Sequence, residues 1–387
     1  MVNYLPYMNV SDTYDVAIIG GGLAGLASAI SLRQKGHSVI LFEKETYPFH
    51  KVCGEYISLE SQEFLQSIGL PITTLALPKI NTLILTAPNG KSFTTKLPLG
   101  GFGISRFELD NQLAQIAKNL GVELCENTRV EEVTFNEKFN IKVSSPTLSQ
   151  PITARACIGS FGKRSNLDIR WHRSFLNAAN RLDNYVGIKY HVKTEWPEYT
   201  IGLHNFRNGY CGISAIEDGK HCLCYMTTAS ELKNAGSIQQ LENQLLSQNP
   251  HLKRIFNHST VLPGFPVTIS QINFNLKTVV ENGILMTGDA AGMIAPLCGN
   301  GMSMALHSGK LASIGAHDFL SGRTTQQEME LSYTREWKKY FSHRMKAGRI
   351  LQRFFGGETS SNLFVSVFRT FPFLAEPVIR RTHGSRF

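Results

Sequence analysis

The stretch YDVAIIGGGLAGLASAISLRQKGHSVILFEKE, from Tyr14 to Glu45, constrains this chain more than any other. An apolar run at 16–19 leads into Gly20, Gly22 and Gly25, which fit G-x-G-x-x-G. A helical pattern follows from about Leu23 to Gln34, and a second apolar run at 39–42 ends at Glu43 with Lys44 beside it. Gly20 permits a tight turn, Gly22 lets backbone approach a pyrophosphate, and Gly25 lets helix and strand pack closely. The helix N-terminus faces phosphates, and Glu43 can accept hydrogen bonds from a ribose diol. Strand, glycine turn, helix, strand and acidic end, in that order, predict a βαβ dinucleotide cradle. On these residues alone NAD and FAD are both open.

The rest of the chain predicts that this cradle is discontinuous. ISRFELDNQLAQIAKNLG (104–121) has helical spacing with Gly121 as a stop, and VELCENTRVEEVTF reads as two short strands. The texture changes over 185–228, where YVGIKYHVK alternates and Asn-Gly and Asp-Gly turn signals separate strand-like runs, so an antiparallel sheet is expected. SIQQLENQLLSQNPHLKRIF is helical, GILMTGDAAGMIAP returns to a buried strand with a glycine turn, and aromatic-rich helices close the chain from about Gln326. The expected organisation is a cofactor domain in segments 1–75, 104–170 and 276–325. A substrate domain takes 76–103 and 171–275, and a C-terminal helical region takes 326–387.

Composition narrows the setting. No window approaches the roughly 18 apolar residues of a spanning helix, and MVNYLPYMNV lacks the basic and apolar regions of a signal peptide. Seven cysteines are scattered, odd in number and without metal-ligand spacing, so reduced thiols, no metal and a cytoplasmic setting are expected. The net charge of +9 is concentrated from Arg335 onward, where eleven Lys/Arg face three Asp/Glu in a Phe-rich tail. That tail is read either as resting on an anionic membrane surface or acidic partner, or as packing its apolar face on the core. No interleaved aromatic and basic stacking surface is evident, so nucleic acid is not expected.

The second glycine-rich stretch, GILMTGDAAGMIAPLCGNGMSMALHSGKLAS (283–313), settles the cofactor by resemblance. An apolar strand, Gly288-Asp289-Ala290-Ala291, then Pro296 and Gly299-Asn300-Gly301 opening a helix, resembles the second FAD fingerprint of the FAD-dependent aromatic hydroxylase superfamily. Para-hydroxybenzoate hydroxylase, geranylgeranyl reductase and the flavin-dependent halogenases are among its members. The resemblance implies a Rossmann-like FAD-binding domain with an inserted antiparallel-sheet substrate domain and C-terminal helices. It also implies that Asp289 binds the ribityl chain and that the 299–301 turn lies under the flavin's pyrimidine end. Backbone N–H groups at a helix N-terminus can stabilise the negative charge of reduced flavin. Arg106 is implied to reach the flavin's phosphates or ribityl chain, and Val130 to line the adenine. Read without the resemblance, Arg106 is equally a solvated first-turn arginine and Val130 a core valine.

The resemblance also frames the chemistry. The family's Asp-Gly-x-x-Ser segment corresponds to CIGSFGKRSNLDIR, where Gly159, Gly162 and Ser165 fit but Phe161 replaces the aspartate. That departure leaves NAD(P)H or a partner protein as the electron donor. KVCGEYIS (51–58) is similar to a loop near the flavin ring in the reductases and halogenases, so Cys53 is expected to face the flavin or substrate and Glu55 to act as an acid. Halogenation is disfavoured, because no W-x-W-x-I-P segment exists and Trp171, Trp196 and Trp337 are isolated. The expectation is an FAD-dependent oxidoreductase acting on a hydrophobic aromatic, polyketide or prenyl molecule. Hydroxylation through a C4a-hydroperoxyflavin is the first reading, and geranylgeranyl-reductase-like alkene reduction the alternative.

Overall fold

The computed structural model describes residues 13–148, 150–176, 184–272, 274–295 and 299–387. Strand β1 (Thr13–Ile19), helix α1 (Leu23–Gln34) and β2 (Val39–Phe42) form the opening βαβ unit, with α1 and β2 at the bounds read from the sequence and β1 starting three residues before the apolar run at 16–19. Next come β3 (Tyr56–Ser58), α2 (Gln62–Ser67), and the paired β4 (Lys79–Thr86) and β5 (Ser92–Gly103). Then α3 (Arg106–Asn119), β6 (Glu123–Cys125), β7 (Arg129–Asn136), β8 (Lys138–Ser144), β9 (Ile152–Gly159) and α4 (Asn166–Arg170) follow. A meander of β10 (Tyr185–Lys193), β11 (Thr200–Phe206), β12 (Gly209–Ala215) and β13 (His221–Thr228) leads to α5 (Ala229–Ala235), α6 (Ile238–Gln244) and α7 (Pro250–Asn257). The chain continues through β14 (Thr260–Val261), β15 (Val267–Ile272), β16 (Val280–Glu281) and β17 (Ile284–Met286). Four helices end it: α8 (Gly301–Leu320), α9 (Gln326–Phe354), α10 (Glu358–Thr370) and α11 (Ala375–Thr382).

Two mixed sheets result. The first runs β16-β17-β9-β1-β2-β6, with β7 and β8 attached beside β9. Its central strands pair in parallel and are buried on both faces, which is why they read as continuous apolar runs. The second runs β14-β10-β13-β12-β11-β4-β5-β3, with β15 against β10. It is antiparallel as expected except where β4 lies parallel to β11, a pairing between distant segments that alternation cannot reveal. β3 joins this second sheet, so the chain passes from one layer to the other between Phe42 and Tyr56. The helical reading of 237–256 breaks at Asn249, whose side chain accepts from the His251 N–H while Pro250 starts α7.

Helix α1 is buried on every side because it lies between the first sheet and α8. Two glycines set how close these layers come. A Cβ on Gly25 would stand 2.0 Å from the Gly20 carbonyl oxygen, and one on Gly309 would stand 2.6 Å from that of Ala24. Ser28 Oγ donates to Ala24 O at 2.8 Å and contacts Gly309 O at 3.1 Å, sealing the crossing. We expect Gly309→Val to separate α1 from α8 at an overpacking cost of about 1–3 kcal/mol, read as a lower denaturation midpoint.

Candidate functional site

One cavity of about 970 Å³ runs between the two sheets and reaches the C-terminal helices. At one end lies the glycine turn. Gly20 has φ of +100°, where a side chain would be strained and would meet Ser160 O at 2.5 Å. Gly22 caps α1 and lines the cavity, and a Cβ there would meet only Arg106 Nη2, at 3.9 Å. The turn is therefore a cradle that a side chain at 22 would fill. Gly25 lies off the cavity and acts through packing.

Glu43 at the end of β2 is buried and lines the cavity, its carboxylate accepting the Gly21 N–H at 2.9 Å and the Glu45 N–H at 3.1 Å. Tyr47 Oη donates to the Gly21 carbonyl. Lys44 borders the cavity, and Val130 is a buried lining residue. Arg106, in the first turn of α3, binds Asp110 through two bonds of 2.7 Å, and Lys51 reaches the same carboxylate at 3.0 Å. Burial pushes the Asp110 pKa up, but Arg106 and Lys51 outweigh it and hold the group below its usual range. The Arg106 guanidinium is thus fixed over the glycine turn.

The second fingerprint converges on the same space. Gly288, Asp289, Gly299 and Gly301 line the cavity, and the N-terminus of α8 opens there. Ser160 and Thr287 share a hydrogen bond of 2.7 Å that ties the ends of β9 and β17. Lys277 donates to Asp289 O at 2.8 Å and to Lys163 O at 2.6 Å, and burial lowers the pKa of each lysine to about 8. Asn300 departs from expectation. It is fully buried and donates to Thr382 O at 3.0 Å, so its side chain fastens α11 and does not line the cavity. Pro296 and Cys298 lie outside the described residues. The donors and the cradle suit FAD: a helix N-terminus and Arg106 at the diphosphate, Glu43 for a ribose diol, Asp289 and the start of α8 toward the flavin.

The 51–58 loop crosses from β2 to β3, and both of its candidates line the cavity. Burial raises the Cys53 pKa, so the thiol keeps its proton. Glu55 is a correction to the expected acid. Its carboxylate is fully buried and meets Lys189 Nζ at 2.6 Å, His191 Nε2 at 2.6 Å and the Arg106 backbone N–H at 2.8 Å. Burial pushes its pKa up, yet the His191 hydrogen bond and the Lys189 charge bring it below the ordinary value. A carboxylate held ionised in this way is an anchor. It holds the loop in spite of the residue's φ of +55°. Cys222 Sγ, which donates to Cys53 O at 3.2 Å, completes a group with Glu55 and His191, but the Lys189 ammonium already takes the place of a cation on that carboxylate.

Lys189 and His191 escaped sequence reasoning, although alternation in YVGIKYHVK puts them on one face of β10. The opposite arm of the cavity is apolar. Leu83, Leu85, Phe93 and Leu203 line it from the second sheet, and Leu351, Phe364, Phe368, Val378 and Ile379 from α9 to α11. Phe161 also lines the cavity, with its ring centroid 6.1 Å from that of Trp171.

A cradle suited to FAD, shared between the parallel centre of the first sheet and the second sheet, defines an FAD-dependent oxidoreductase. The match to the FAD binding domain model over residues 13–338 places the chain in that family. Conditioned medium factor receptor 1 of Dictyostelium discoideum is 24% identical over 374 residues, covering 90% of this chain and 72% of that one. A digeranylgeranylglycerophospholipid reductase of Methanosarcina acetivorans is 23% identical over 361 residues, covering 89% and 86%. Among solved structures, a flavin-dependent brominase superposes with TM-score 0.79 at 19% identity, covering 97% and 94%, a likeness of fold.

Gly22→Val is expected to fold normally, since nothing but Arg106 is near, yet to purify colourless. Asp289→Ala is likewise expected to lose flavin absorbance, and yellow protein in both would refute the cradle. Glu55→Gln strands Lys189 in the interior and is expected to cost about 3–5 kcal/mol in chemical denaturation, with Glu55→Gln/Lys189→Met recovering part of it. The depressed Glu55 contributes stability present above the ordinary carboxylate pKa of about 4.3. That contribution is lost as pH falls through its folded value, so the wild-type advantage over Glu55→Gln shrinks below about pH 4.

Proposed function

We propose that this protein reduces a carbon–carbon double bond in a long apolar, prenyl-type substrate. The carrying observation is the apolar arm, which continues the FAD cradle and is closed by α10 and α11. Such a shape accepts a flexible hydrocarbon chain and offers few polar groups to orient a compact hydroxylated ring. The reductase activity named for the Methanosarcina relative supports the same reading.

When bound and reduced, FAD would supply the hydride. The chain's own residues hold the cofactor, align the substrate along the arm and exclude water. Glu55, through Lys189 and His191, keeps the 51–58 loop seated on the second sheet. Cys53 presents a protonated thiol to the cavity from that loop and is our candidate proton donor. NAD(P)H or an electron-donor protein would supply the two electrons that each reduction consumes. Hydroxylation uses the same cradle, and the long arm is what favours reduction over it.

Val378→Trp shortens the arm from α11. With dithionite as reductant, the variant is expected to keep turnover on short prenyl alkenes and to lose it on long ones. Equal losses on all lengths would sink the arm assignment. Cys53→Ala is expected to lower turnover at least ~10²-fold with unchanged flavin content.

A further inference from the structure

The C-terminal helices have two sides with different characters. Inward, Val365, Phe368 and Ala375 pack with Leu85, Ala87 and Phe93, while Phe364, Val378 and Ile379 line the apolar arm. Outward, the corner between α10 and α11 carries Phe371, Phe373 and Leu374, with Phe373 71% exposed and Phe371 48% exposed. The corner is a built feature: the Phe371 N–H donates to Val367 O at 2.8 Å and the Leu374 N–H to Phe371 O at 3.1 Å. Single exposed apolar side chains are ordinary, but three together on an ordered corner mark a contact surface.

The charges around the corner select its partner. Arg369, Arg380 and Arg381 flank it and are exposed. Arg380 is paired with Glu376, whereas among the described residues no carboxylate pairs with Arg369 or Arg381. Apolar side chains beside two arginines without a carboxylate partner among the described residues fit an anionic bilayer, where rings enter the headgroup boundary and guanidinium groups meet phosphates. No described helix is long and apolar enough to cross a membrane, so the contact is with the surface.

We infer that the α10–α11 corner seats the protein on an anionic phospholipid bilayer, placing the helices that close the apolar arm at the lipid surface. The surface depends on exposure and charge alone and not on the reaction, so neither substrate nor turnover is needed to detect it.

The FAD-loaded full chain is sedimented with vesicles of phosphatidylcholine alone and of phosphatidylcholine with phosphatidylglycerol. Partition is expected onto the anionic vesicles, to fall with added salt, and to drop about tenfold or more in Phe371→Ser/Phe373→Ser. Arg369→Gln/Arg381→Gln is expected to remove the preference for phosphatidylglycerol. Because these side chains are exposed, flavin absorbance and melting should be unchanged. A single Phe373→Trp variant gives a second reading, its fluorescence being quenched by brominated lipid when the corner inserts. The inference is overturned if wild type ignores anionic vesicles at low salt, or if the serine variant partitions like wild type. Loss of a wild-type dimer in that variant would equally overturn it, assigning the corner to a second copy.

Discussion

The arrangement depends on one buried carboxylate. Glu55 sits on the loop that leaves the first sheet and enters the second, and its oxygens receive an ammonium, an imidazole nitrogen and a backbone N–H. An unpaired charge at that depth is strongly unfavourable, so loop and β10 are locked together or both left with uncompensated groups. The neighbouring backbone is fastened by the same logic. Ser214 Oγ donates to Gly54 O at 3.2 Å, and Cys222 Sγ donates to Cys53 O. The loop therefore meets β10, β12 and β13, and its residues 51–56 line the cavity that makes the passage from cradle to apolar arm.

The two ends of that passage are made by different physics. The cradle is a backbone device in which Gly20, Gly22 and the start of α8 present peptide groups, with Arg106 held above them by Asp110. The arm is a packing device, with helices α10 and α11 lying over β4 and β5 and leaving an apolar channel between. FAD binding is shared across the family. The apolar arm is the part of the cavity that we propose takes a long hydrocarbon substrate.

Local signals were legible in the sequence and distant pairings were not. The βαβ unit is legible, apart from the start of β1, because strand, glycine turn and helix are specified within about thirty residues. The second fingerprint was equally local, and resemblance assigned it to the same cofactor. Glu55 was seen as a site residue but given the wrong part, because its partners are 134 and 136 positions away and only the folded register of β10 brings them close. Pro250 is a local signal too, since proline behind an asparagine cap starts a new helix and does not continue one. Asn300 fits the fingerprint pattern, yet its side chain turns to Thr382, a contact no motif carries. The C-terminal tail was read two ways. The structure shows the packed face directly and leaves the corner beyond it exposed.

The most direct test of the account is the mass of the product. Holoprotein reduced with dithionite would be mixed, strictly without oxygen, with a long prenyl alkene, and the product analysed by mass spectrometry. A gain of two hydrogens in a single turnover is the result this account predicts. No anaerobic product, with an added oxygen atom appearing only in air, would contradict it.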